Sequence, residues 1–229
     1  MKSALVTGAG RGIGLAAARL FLQAGLKVTA LDKDFSACDL PAQVRRLKFD
    51  LQNIDAIPAL LENEDVDVLV NNAGTLYCHP HDAFPASDAL EILTVNLRAP
   101  VALIEAVSPA MRKKKSGRIV NVASVAAFTG HPDLWYGASK AALINITKSY
   151  AGYLGADGIL VNAVAPGPTL SVMYEQLPQS RKDAVMRSVY SGRPCSPEEV
   201  AQTIVWLGTD SPAYLSGATI DVNNGSYPR

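Results

Sequence analysis

Four glycines fall within seven residues, Gly8-Ala9-Gly10-Arg11-Gly12-Ile13-Gly14, and their surroundings restrict what this chain can become. Residues 3–7, Ser-Ala-Leu-Val-Thr, read as a short buried strand. Residues 15–22, rich in Leu and Ala, read as a helix ending near Gly25. Residues 27–31 read as a second strand, and Asp32 closes it. Strand, glycine turn, helix, strand and acid, with the acid 18 residues after Gly14, is the order a dinucleotide site requires. Glycines let the backbone approach a pyrophosphate. The helix N-terminus offers it free N–H groups and a positive dipole end. Gly8, Gly10, Arg11, Gly12, Ile13 and Gly14 are expected there, and Asp32 is expected at the adenosine ribose. The plainer alternative, a tight turn with no ligand, leaves four glycines unexplained.

Strands and helices alternate along the rest of the chain, which predicts a parallel sheet covered on both faces. Further strands are expected at residues 46–50, 66–70, 117–122, 159–164 and 219–222. Helices are expected at 54–62, 89–113 and 136–154, with another opened by Pro197 after Ser196 as N-cap. About a dozen residues separate Asp32 from the third strand, too few for a full helix. Residues 75–87 read as a loop rich in His and Pro, and 168–195 as irregular or loosely helical. Sites on such sheets lie at the carboxyl ends of strands. Gly8, Asp32, Asp50, Asn71, Ser124 and Pro166 all end or follow strands, so they should converge on one edge.

Tyr136 and Lys140 stand four residues apart on the helix expected at 136–154, with Ser124 twelve residues before the tyrosine. Residues four apart share a helix face, with Cβ atoms roughly 5–6 Å apart. A free tyrosine titrates near pH ~10, and bringing it to neutrality needs about 4 kcal/mol. One cation at about 4 Å supplies that at an effective dielectric near 20. Tyr136 is therefore expected to trade protons near neutral pH, with Ser124 on the same substrate oxygen. A chance pair on a helix surface is the bland alternative.

Length and composition bound the remainder. With 229 residues, 48% hydrophobic and 18% charged, the chain suits one α/β domain spanning 1–229. No linker, repeat or low-complexity tract divides it. Its formal net charge is zero, so nothing recommends nucleic acid or an anionic membrane as partner. The one basic run, Arg112 to Lys115, is expected to be a solvated helix end. No apolar stretch is long enough to span a bilayer. The first strand begins at once, leaving no room for a signal peptide. Cys38, Cys78 and Cys195 are scattered and read as free thiols, which together predicts a cytoplasmic location. His79, His81 and His131 have no third-ligand cluster beside them, so no metal is expected.

The spacing Thr7-Gly8-x-x-x-Gly12-x-Gly14, together with Asn71-Asn72-Ala73-Gly74, Asn96, Ser124, Tyr136, Lys140 and Pro166-Gly167, resembles the classical short-chain dehydrogenase/reductase family. The resemblance runs from Leu5 to Gly225. It implies a doubly wound Rossmann-type domain with strand order 3-2-1-4-5-6-7 and a substrate flap at about 168–195. It implies hydride transfer between a nicotinamide cofactor and a carbinol or carbonyl carbon of a small molecule. Tyr136 would exchange the hydroxyl proton, Lys140 would bind the nicotinamide ribose, Ser124 would hold the substrate oxygen, and Asn96 would anchor a proton-relay water. Asn72, Ala73, Gly74, Pro166, Gly167 and Thr169 would line the cofactor, and Asp50 and Leu51 its adenine. The acid Asp32 favours NAD over NADP, although Arg11 and Lys33 suit a 2′-phosphate. Thr169 and Ser171 compete for the carboxamide. The family also implies a homotetramer or homodimer built on the two long helices.

The substrate pocket is expected from two regions. One offers Phe128, His131, Leu134 and Trp135, and the other Val172, Met173, Tyr174 and Leu177. The short second crossover, Asp32 and compact length look similar to dehydrogenases of cyclic diols. An NADPH-dependent acyl-carrier ketone reductase and a non-catalytic NAD-binding sensor or scaffold are the alternatives.

Overall fold

A computed structural model describes residues 1–36, 38–175 and 178–229. Leu177, one of the expected pocket residues, lies outside the described residues, as do the side chains of Val172 and Met173. Among the described residues the sheet has seven strands, all parallel: β1 (Ser3–Thr7), β2 (Lys27–Asp32), β3 (Arg45–Lys48), β4 (Val68–Asn71), β5 (Gly117–Val122), β6 (Ile159–Pro166) and β7 (Thr219–Val222). Their spatial order is β3-β2-β1-β4-β5-β6-β7, as the resemblance implied. The chain winds outward from β1 to β3, then returns to place β4 on the other side of β1. Ala4 thus pairs with Val28 on one side and Val68 on the other. The crevice where the winding reverses lies beyond the carboxyl ends of β1 and β4.

The helices are α1 (Gly12–Gln23), α2 (Ile57–Leu61), α3 (Ala86–Leu93), α4 (Ala99–Lys114), α5 (Leu134–Gly155), α6 (Val172–Glu175), α7 (Gln179–Ser188) and α8 (Pro197–Gly208). Side-chain alternation along the strands divides them into two layers. Ala4, Val6, Val68, Val70, Val120 and Val122 face α1 and α8, where Phe21 and Ile204 complete the packing. Leu5, Leu69, Ile119 and Val161 face the opposite way, against Leu103, Ile104, Met111 and Leu154 of α4 and α5. Strands buried on both faces carry few polar residues, which is why they read as apolar runs.

Several boundaries differ from the sequence expectation. The third strand is Arg45–Lys48 and not 46–50. Phe49 still donates to the Asp32 carbonyl, but Asp50 accepts the Gln52 N–H at 3.0 Å and turns the chain away. No helix occupies the described residues between β2 and β3, as the short gap required. The helix expected at 54–62 is a 3₁₀ turn, Ile54–Ala56, leading into α2. The helix expected at 89–113 is α3 and α4 joined by a π-helical turn, Thr94–Arg98. The segment 168–195 holds the short α6 and α7. Ser196 caps α8 as expected, and Glu199 closes the capping box by accepting the Ser196 N–H at 2.8 Å.

The basic run is not merely solvated. Arg112 and Lys115 both meet Asp157, at 3.1 and 2.5 Å, and Lys114 meets Asp67 at 2.8 Å and Asp65. These exposed pairs contribute about 0–1 kcal/mol each. They tie the end of α4 to the starts of β4 and β6. Among the described residues no helix is long and apolar enough to cross a membrane, and no group of three His, Cys, Asp or Glu is placed to hold a metal.

Candidate active site

The carboxyl ends of β1, β2, β4, β5 and β6 open into a cleft of about 1000 Å³. Of the residues expected from sequence, Gly8, Arg11, Gly12, Ile13, Asp32, Asp50, Leu51, Asn72, Ala73, Gly74, Ser124, Tyr136, Lys140, Pro166, Gly167 and Thr169 all line it. Gly10, Gly14 and Asn96 stand behind its wall.

The glycine turn is shaped for close approach. Gly8 has φ +65, a left-handed backbone that a Cβ would strain. A Cβ on Gly14 would collide with the Gly8 carbonyl oxygen and the Asn72 amide. That amide donates to the Thr7 and Gly8 carbonyls at 2.9 and 3.2 Å. The Thr7 hydroxyl accepts the N–H groups of Asn72 and Ala73, both at 3.0 Å. The β1 and β4 termini are thus laced into one surface. Arg11 precedes α1 without a side-chain cap, so the first N–H groups of α1 face the cleft as an anion seat. Asp32 accepts the Gly10 N–H at 2.8 Å and the Asp34 N–H at 3.1 Å, one on each oxygen. Each oxygen keeps a second lone pair for a ribose hydroxyl. Hydrogen bonds from Ser36 hold the Asp34 carboxyl below its usual range, with smaller help from the charges of Lys48 and the exposed Arg11. These features fit a dinucleotide: a tight turn, free N–H groups and a carboxylate one strand away.

Four side chains define the reacting end. Lys140 is 3% exposed and donates to the Val122 carbonyl at 2.7 Å. Burial pushes its pKa down to about 8. Its Nζ lies 5.8 Å from the Tyr136 ring centre. Ser124 is 9% exposed, and its hydroxyl accepts the Ala126 N–H at 3.1 Å. Asn96, fully buried in the π-helical turn, clasps Thr75: its Oδ1 accepts the Thr75 N–H at 2.8 Å and its Nδ2 donates to the Thr75 carbonyl at 2.9 Å. Its amide also donates to the Ser139 hydroxyl at 3.1 Å, so it stands one residue from Lys140 without touching it. Asn71 pairs with Asn121 across β4 and β5 at 2.8 Å, the strand-tying role its position suggested.

The titration expected of Tyr136 is corrected. Burial raises its pKa above the usual tyrosine value. The Ser124 hydroxyl acts the other way, and the Asp133 charge adds to the rise. Spacing along the helix captures the attraction of an ammonium but not the desolvation of the phenol, and here Lys140 is turned to a carbonyl. Burial of the phenol thus works against the acidity that residue spacing alone suggests.

Asp133 was not singled out by the sequence reading. It is 3% exposed and grips two elements at once. Its Oδ1 accepts the Tyr136 N–H at 2.9 Å, capping α5, and its Oδ2 accepts the Tyr77 N–H at 2.8 Å. An Asp three residues before Tyr136, at a helix start, is the signal that could have found it. Of the expected pocket residues, His131 and Tyr174 line the cleft, as do the two carboxamide candidates, Thr169 and Ser171. Phe128 instead stacks on Tyr227 at 5.7 Å with Arg229 over it at 4.0 Å, and Leu134 and Trp135 are absent from the lining. Ser171 caps α6 by accepting the Tyr174 N–H at 3.1 Å, whereas Thr169 donates to the Gly167 carbonyl at 3.0 Å.

The buried Lys140 has a consequence for stability. Its native pKa of about 8 lies below the ordinary lysine value of 10.5, so between these the unfolded chain binds more protons. Wild-type stability should rise with pH across that window by about 3 kcal/mol relative to Lys140→Met. Urea unfolding of both proteins at the two ends of the window measures this. Parallel curves would contradict it.

Known proteins supply a comparison. The family model described as short chain dehydrogenase matches residues 2–182. A 3-oxoacyl-[acyl-carrier-protein] reductase FabG from Thermotoga maritima is 36% identical over 238 residues, covering 98% of this chain and 97% of that protein. Nodulation protein G from Rhizobium sp. is 37% identical over 239 residues, covering 98% and 96%. Among solved structures, a candidate 2-deoxy-D-gluconate 3-dehydrogenase from Agrobacterium tumefaciens with bound NADP superposes with TM-score 0.94 at 30% identity, covering 100% and 97%. A candidate NAD(P)-dependent gluconate 5-dehydrogenase from Beutenbergia cavernae with bound NADP gives 0.91 at 31%, covering 98% and 96%.

Proposed function

The chain belongs to the short-chain dehydrogenase family, and on that premise we propose that it moves a hydride between a nicotinamide cofactor and a secondary alcohol or ketone of a small molecule, with Tyr136 as proton donor and acceptor. The observation that carries this reading is the meeting of the Tyr136 phenol and the Ser124 hydroxyl in the cleft, with Lys140 one helical turn away. The cofactor, when bound, would supply or accept the hydride. Gly8, Gly12 and the start of α1 would hold its phosphates, Asp32 its adenosine ribose, and Leu51 its adenine. Asn72, Ala73, Gly74, Pro166 and Gly167 would line its path. Thr169 and Ser171 both line the cleft and both already have a backbone partner, so either hydroxyl could serve the carboxamide.

In the reducing direction the protonated Tyr136 gives its proton to the carbonyl oxygen while Ser124 steadies the charge that develops there. In the oxidising direction the same phenol must first lose its proton, which burial opposes. The Lys140 ammonium, 5.8 Å from the ring centre, favours that loss. Asn96 and Asp133 act through position. Asn96 fixes Thr75 and Ser139, and Asp133 fixes the first turn of α5.

We assign NAD as the preferred cofactor, since the Asp32 carboxylate would face a 2′-phosphate. Arg11 and Lys33 in the same lining support the second reading, an NADPH-dependent ketone reductase of the kind the FabG relatives are named for. The two separate on Asp32→Ser. If NAD is preferred, the change should shift the kcat/KM ratio toward NADP by about 10- to 100-fold. A wild-type preference for NADP, or a ratio that Asp32→Ser leaves alone, would establish the second reading. Residues 1–229 act as one domain in this function, with 168–195 as a flap over the substrate. The apolar groove of Leu97 in the π turn, Val101 and Ala102 on α4 and Ile146 on α5 is assigned to contact between copies.

A further inference from the structure

We propose that the substrate end of the cleft takes an uncharged molecule bearing a second hydroxyl beside its reacting carbon, and that Glu91 and Tyr77 hold that hydroxyl. The proposal rests on the oxidoreductase reading above and adds a substrate class to it.

The pair is a fixed part of the wall. The Tyr77 phenol donates to Glu91 Oε2 at 2.9 Å. The backbone on either side is pinned, at Thr75 by Asn96 and at Tyr77 by Asp133. The Tyr77 ring stacks on His79 at 5.7 Å, and His79 meets Asp88 at 2.6 Å. Burial, then the Glu91 carboxylate, raises the Tyr77 pKa, so the phenol stays a donor. Glu91 lines the cleft, and its second oxygen has no hydrogen-bond partner among the described residues. A carboxylate anchored on one oxygen and open on the other accepts a hydroxyl proton. The same 75–79 segment is tied to Asn96 and to the cap of the Tyr136 helix, so a hydroxyl held there is held relative to the reacting phenol.

Charge separates the two ends of the cleft. Arg11 and Lys33 lie at the Asp32 end. At the other end the acidic lining residues are Glu91, Asp133 and Glu175, with Lys140 as the one Lys or Arg among the described lining residues and His79 already paired with Asp88. Lys140 is engaged with the Val122 carbonyl, and His131 with the Asp133 backbone. A substrate carboxylate or phosphate would meet like charge and no guanidinium partner. A neutral diol or hydroxyketone meets acceptors.

The test is calorimetric binding to the full chain saturated with reduced cofactor, where alcohols bind without turning over. The probes are cyclohexane-1,2-diol, cyclohexanol and 2-hydroxycyclohexanecarboxylate. The diol should bind about tenfold more tightly than cyclohexanol, as expected for one hydrogen bond to a charged group. The carboxylate should bind least. Glu91→Gln, nearly the same shape, should bring the diol close to cyclohexanol while leaving cyclohexanol unchanged. The proposal is overturned if the carboxylate binds as tightly as the diol, if Glu91→Gln leaves the ratio intact, or if no probe binds. Failure of the reaction reading looks different: turnover that survives Tyr136→Phe removes the phenol from the chemistry without altering these ratios.

Discussion

Tyr136→Phe is expected to lower turnover by about 10²- to 10⁴-fold, the range supplied by a positioned acid or base. Cofactor affinity and melting temperature should stay near wild type. The change removes one oxygen, on which the Ser124 hydroxyl acts. The ring still packs beside His131, at 5.2 Å between centres. Asp133 caps the helix through the Tyr136 backbone N–H, which phenylalanine keeps. Steady-state rates from nicotinamide absorbance, paired with a binding isotherm, check both halves. Turnover above half of wild type would sink the proton-transfer role of Tyr136.

The second large effect concerns a residue that touches no reacting atom. Gly14→Ala should weaken cofactor binding by at least about tenfold and lower the melting temperature. The added Cβ must displace the Gly8 carbonyl and the Asn72 amide, both parts of the phosphate turn. Backbone there cannot swing aside, and overpacking of this kind costs about 1–3 kcal/mol. Gly152→Ala is the matched control. It lies on α5, where an added Cβ would meet no atom within 4 Å, and should stabilise by about 0.5–1 kcal/mol. Equal loss in both variants would mean the collision is not the cause.

How far these properties could be read beforehand depended on their range along the chain. The glycine turn, its strand, its helix and Asp32 are local, and periodicity and spacing carried them to the right places. The strand order came with the family resemblance, once several motifs were taken together. Contacts that join distant segments left no such trace. Asp133 holds Tyr77 across 56 positions, and Tyr77 meets Glu91 only because the 75–79 loop folds back over α3. Phe128 was expected in the pocket because its loop is there, but a stacking partner near the C-terminus, Tyr227, draws it elsewhere. The acidity of Tyr136 went wrong for a different reason. Attraction between charges can be estimated from residue spacing, whereas desolvation depends on everything packed around the group.

The π-helical turn at Thr94–Arg98 shows how such a site resists one kind of change. A π turn holds one residue more than the α-helix it interrupts. Removing a residue there would leave a smoother, more regular helix from α3 into α4. It would also close the wide turn in which Asn96 stands, because the extra residue is what that turn absorbs. Asn96 would lose its reach to Thr75 and Ser139, while Glu91, earlier in α3, would keep its place. The irregularity works as a local outward step that carries one side chain to a wall the regular helix does not meet. Residues can be exchanged in this stretch at moderate cost, but the number of residues cannot change without undoing the clasp on Thr75.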